Sequence, residues 1–86
     1  MNIKFEWDEK KDKWLKENRN ISFYDVMNAI KSKKLIAFMR NKKYEGQYII
    51  VVEINDYPWV VPCEFRGEKL RLITAYPSRK FKKRRK

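Results

Sequence analysis

Residues 35–76 read LIAFMRNKKYEGQYIIVVEINDYPWVVPCEFRGEKLRLITAY, and this stretch decides the fold. It holds four runs rich in aliphatic, β-branched and aromatic residues, at 35–40, 47–54, 59–65 and 70–76. Such residues fit a pleated, half-buried surface. Short polar breaks separate them. Residues 41–46 end on Gly46, Asn55-Asp56 is a tight pair able to reach positive φ, and Arg66-Gly67-Glu68 is a third turn. Connections this short join antiparallel neighbours, so the stretch predicts a four-stranded antiparallel meander. Pro62 lacks a backbone donor and marks either an edge position or a bulge.

Toward the N-terminus the period changes. Ser22 with Asp25 three residues on forms a capping-box variant. Phe23, Val26, Met27 and Ile30 follow at i, i+3, i+4 and i+7, the apolar face of a helix. Lys31 to Lys34 end it as a solvated connection. Before it, Asp8 can cap a helix over residues 9–17 whose apolar side is thin, carried by Trp14 and Leu15. Residues 3–7 alternate as I-K-F-E-W, a short strand. The expected architecture is therefore α+β: a short N-terminal strand, two helices, then the meander. One sheet face buries against the helices and the other is left open. Residues 1–78 make a single domain and 79–86 a basic tail.

The open face has no assigned side in the last run. Straight alternation puts Leu70, Leu72, Thr74 and Tyr76 on one face and Arg71, Ile73 and Ala75 on the other, and both carry apolar groups. Tyr76 leads into Pro77-Ser78-Arg79-Lys80, so a phenol, a hydroxyl and cations follow one another at the end of one strand. Phosphate contacts use such donors, and RNA cleavage needs groups that move a proton and stabilise a charged phosphorane. A purely structural role for Tyr76 stands beside that reading.

Charge points the same way. The chain carries 22 Lys and Arg against 11 Asp and Glu, a net +11. Residues 79–86, RKFKKRRK, hold seven of those charges, and without them +4 remains. Lys80, Lys82, Lys83, Arg84 and Arg85 can neutralise phosphates, and Phe81 among them can stack on a base. A solubilising tail and attraction to a membrane surface are the alternatives; the second lacks an apolar helical face beside the charges. Lys10, Lys11, Lys13 and Lys16 stud the first helix as a solvated face.

Composition excludes much else. There is no histidine, which removes a Ser-His-Asp triad, a paired-histidine nuclease and histidine-ligated zinc. One cysteine allows no internal disulfide and fits a reducing cytoplasm; Cys63, in an apolar run, reads as a buried hydrophobe. Glu6, Asp8 and Glu9 offer a divalent-cation site on paper, but capping explains Asp8 and Glu9 more simply. The two glycines form no phosphate loop, and no metal or cofactor is expected. No apolar run approaches the ~20 residues of a membrane span. The first residues, MNIKFEWDEKK, carry no secretory h-region.

Three short strings resemble one family. K-F-E-W-D-E-K-K at residues 4–11 is similar to the F-x-W-D-x-x-K opening of BrnT-type toxins. I-S-F at residues 21–23 resembles their V-S-F at the start of helix 2, and R-L-I-T-A-Y at 71–76 resembles their R-I-I-S-A-R. The Thr-Ala-Tyr-Pro ending also resembles the wider RelE-like nuclease group. The resemblance implies a RelE-like fold and a type II toxin. Such a toxin is a metal-independent ribonuclease acting on mRNA, at the ribosome in some members, and silenced by a cognate antitoxin. The family's last-strand Arg-Ser-Arg positions correspond to Arg71, Thr74 and Tyr76; its Lys-His-Gly string places Lys16 at the Lys and Glu17 at the His. The implied catalytic set is Arg71, Thr74, Tyr76, Arg79 and Lys16, with Glu17 a weaker candidate for general base. The Arg-to-Tyr and His-to-Glu departures, and two extra residues before Ile21, set this chain apart from the family pattern.

Overall fold

A computed structural model describes residues 3–82. The elements are β1 (Lys4–Trp7), α1 (Glu9–Asn18), α2 (Phe23–Lys31), β2 (Leu35–Arg40), β3 (Gln47–Ile54), β4 (Tyr57–Arg66), β5 (Lys69–Leu72), β6 (Tyr76–Pro77) and a 3-10 turn at Arg79–Phe81. The fold is α+β, as the period change at residue 35 predicts.

β2, β3, β4 and β5 pair antiparallel in chain order, which is the expected meander. The β3–β4 hairpin turns on Asn55 and Asp56, both at positive φ (53° and 64°), which matches the right-handed twist of the strands. The sheet is mixed: β1 adds to the far side of β5 in parallel, giving the order β1-β5-β4-β3-β2.

The last run departs from the straight strand expected over 70–76. β5 stops at Leu72, opposite Cys63, and β6 resumes with Tyr76 opposite Val60. Unbroken pairing would bring Ala75 there, so one extra residue has been inserted. The cause lies across the ladder. The Ile73 N–H donates to the Pro62 carbonyl (2.9 Å), but the return bond would need a Pro62 N–H that does not exist. Of the two meanings offered by Pro62, the bulge is the one found, and it lies on the neighbouring strand. β4 itself is central. The shift corrects the facial assignment: Ala75, not Thr74 or Tyr76, joins Leu70 and Leu72 in the core, and Tyr76 turns to the open face.

Both helices cover the other face. Leu15 of α1 and Phe23, Val26 and Ala29 of α2 meet Ile50, Val52, Val61, Cys63, Leu70 and Leu72. The capping box expected at Ser22 and Asp25 is formed, with bonds of 3.2 and 2.9 Å. Asp12, buried in α1, adds a second cap: its Oδ1 accepts from the Phe23 N–H at 2.8 Å. One carboxylate thus fixes the start of α2 against α1. Burial raises the Cys63 thiol from 9.0 to about 12. We therefore expect the native protein to resist thiol reagents at pH 8 and to react once unfolded. The unfolded thiol ionises near pH 9 while the folded one stays protonated, so this group's contribution to stability is complete below pH 9 and declines toward pH 12. Thermal melts across that range, with and without Cys63→Ala, check the sign.

Candidate functional site

The open face carries a row of side chains opposite in phase to the core. Val51 pairs with Val60, and Val60 in turn with Tyr76; Ile49 lies between Met39 and Pro62. Beyond Tyr76 the chain is held against β4. Ser78 N–H donates to the Pro58 carbonyl at 3.1 Å, and the 3-10 turn brings Phe81 beside Ile49 and Val60 on this face. The result is a cavity of ≈ 540 Å³. Met39, Ile49, Val60, Tyr76 and Phe81 supply its apolar floor and wall. Arg40, Lys42, Lys43 and Lys80 stand at its rim with Asn41 and Ser78.

Apolar floor and cationic rim do different chemical work. Aromatic faces accept a planar base regardless of sequence, and cations hold the phosphates that flank it. The exposed phenol of Tyr76 and the hydroxyl of Ser78 are neutral donors beside that rim, where the Asn41 amide already donates to Gln47 at 3.3 Å.

The sequence candidates divide between this cavity and elsewhere. Tyr76, Lys80 and Phe81 line it. Arg79 is exposed in the adjoining turn, and Lys82 lies over the Tyr57 ring at 5.3 Å. Lys83, Arg84 and Arg85 lie outside the described residues. Arg71 is on the open face but opposite Glu64, four β4 positions from Val60, and its guanidinium bonds to Glu6 at 3.3 Å. Lys69 meets the same carboxylate at 3.8 Å. Thr74 is half-buried in the bulge. Lys16 and Glu17 belong to the helical layer, where Lys16 pairs with Asp12 at 3.3 Å. Of the carboxylates with metal-binding spacing, Asp8 caps Lys10 N–H at 3.2 Å and Glu6 serves Arg71 and Lys69.

Three cations at the rim went unnoticed in the sequence. Arg40, Lys42 and Lys43 read as a strand end and a polar turn. Only the register of β2 on β3, and of β6 on β4, brings them to Tyr76. Arg19 is a further unsuspected contact: it stacks on Trp14 at 4.8 Å and donates to the Ala75 carbonyl at 2.6 Å, tying the end of α1 to the bulge.

Among the described residues no helix is long and apolar enough to cross a membrane. Residues 16–77 match the family described as a domain of unknown function (DUF4258), and the chain belongs to that family. No curated protein and no solved structure matches the chain.

Proposed function

We propose that this member of the DUF4258 family binds single-stranded RNA across its open sheet face and cleaves it without a metal. In this reading it acts in the cytoplasm as the toxin of a toxin–antitoxin pair. The observation that carries the proposal is the meeting of Tyr76, Phe81 and four cations around one apolar-floored cavity. Its volume falls in the roughly 300–1,000 Å³ span of small-ligand sites, enough for an unstacked base. Paired bases in an A-form duplex would not reach the floor, so the substrate is single-stranded. The likeness of residues 71–76 to the last strand of BrnT-type toxins supports the same class.

The chemistry uses the substrate's own nucleophile. The ribose 2′-oxygen attacks the adjacent phosphorus as its proton is taken up, and the bond from phosphorus to the 5′-oxygen breaks as that oxygen gains a proton. The products are a 2′,3′-cyclic phosphate and a 5′-hydroxyl. Arg40, Lys42, Lys43 and Lys80 stabilise the phosphorane, and Tyr76 handles a proton. Lys16 and Arg71, engaged with Asp12 and Glu6, are not needed at the reacting phosphate.

The purified chain, incubated with RNA in EDTA, should yield those two ends. Tyr76→Phe should slow cleavage by roughly 10²–10⁴ while leaving affinity within about threefold. RNA left intact, with and without ribosomes, sinks cleavage; absence of RNA binding sinks the whole reading. The Arg71–Glu6 pair favours one second reading, a module that holds RNA on this face without cutting it. That reading expects the same binding and no products.

A further inference from the structure

We infer that the free edge of β2 is a docking strand for an extended segment of another protein, apolar in its middle and acidic at both ends. The inference stands apart from the RNA reading and would survive its failure. Among the described residues β2 pairs only with β3, so one of its sides offers backbone groups that no described strand pairs. Natural edges are defended by charge, proline, brevity or a cover. This one has a single bulge, between Leu35 and Ala37, and its only charge is Arg40 at the last position. Its middle is apolar and open: Leu35, Ile36, Phe38 and Met39 are 45, 37, 51 and 38% exposed. The helices leave this flank of the sheet uncovered, and Phe38 stacks on Tyr48 at 5.3 Å while Tyr48 meets Phe65 edge-on at 5.7 Å. Side chains of an added strand would find an aromatic ledge there.

Charge selects the occupant. Residues 31–43, KSKKLIAFMRNKK, contain six cations and no acid. A second copy paired antiparallel through β2 would set Lys33 and Lys34 against Arg40 and Lys42 of its mate, cation facing cation, so self-association is disfavoured. An acidic-ended strand satisfies the backbone, the apolar middle and both cationic ends together. RNA satisfies only the ends. Because Arg40, Lys42 and Lys43 also belong to the cavity rim, a docked strand would sit against the entrance to that site.

The test uses the full chain and three synthetic peptides. The first has an alternating valine–threonine centre with glutamates at both ends; the second carries lysines at those ends; the third is a shuffled form of the first. The first should bind and slow amide hydrogen exchange across residues 35–40, and the other two should bind at least about tenfold more weakly. Phe38→Glu and, as an exposed charge change that spares the core, Arg40→Glu should each weaken the first peptide about tenfold with the circular dichroism unchanged. Equal binding by the lysine-ended peptide, undiminished binding by both variants, or exchange unaltered at 35–40 would overturn the inference. So would a dimer of the free chain in sedimentation that Phe38→Glu dissolves, since the occupant would then be a second copy.

Discussion

Replacing Arg40, Lys42, Lys43 and Lys80 together by glutamine should cut affinity for single-stranded RNA by about three powers of ten at 50 mM salt. Each cation that meets a phosphate adds about 0.7 to the slope of log affinity against log salt for a single strand, so the slope should flatten by about 3. All four residues line one cavity and none of them forms an ion pair among the described residues. Their charges are therefore available to a ligand. Neutralising Lys10 and Lys13, exposed on α1 on the helical side, removes charge without touching that cavity. That control should leave most of the slope in place. Equal losses from the two variants would mean that RNA responds to net charge alone, and the proposed face would lose its support. Filter binding or fluorescence anisotropy over 50–300 mM salt reads both quantities.

Phe23→Ala should cost about 3–5 kcal/mol, the range for truncating a fully buried aromatic. Phe23 is fully buried, packs its ring 5.7 Å from Trp7, and begins α2. Its side chain joins β1 and α2 to the common core, and its N–H is the donor held by Asp12. A domain of this size has only about 4–13 kcal/mol of total stability at typical per-residue values. The melting temperature should thus fall by roughly 15–30 °C, and at 37 °C an appreciable share of the chain should be unfolded. Phe23→Leu keeps most of the volume and should lose less than half as much. A melt that barely moves in the alanine variant would mean that the contact between β1 and α2 contributes little to the fold.

Element order was legible because each element writes its own period. The change from helical spacing at Phe23–Ile30 to β-branched runs after residue 35 needs no partner to be read. Turn chemistry was legible for the same reason: Asn55-Asp56 and Ser22 with Asp25 act within a few residues of themselves. What could not be read was register. Alternation states that two faces exist and leaves open which residues of distant strands sit side by side. Met39, Ile49, Val60 and Tyr76 are spread over 38 positions and meet only through three separate pairings. Asp12 was hidden differently: one of three acids in a charged helix gives no sign that it will be buried against the next helix. Apart from Lys16 and Glu17 on α1, the candidate set drawn from family likeness clustered near the last strand, whereas the cavity draws half of its cations from the β2–β3 turn.

The bulge beside Pro62 makes the chemistry of this surface a matter of parity. The chain from Leu72 to Tyr76 can deliver its phenol to either side of the sheet, depending only on whether the count of paired positions is odd or even. One absent hydrogen on β4 settles that count. A proline with no reactive group of its own thereby decides which side of the sheet carries the phenol, and any relative that carries an ordinary donor at that position should present a tyrosine placed like Tyr76 to the interior instead.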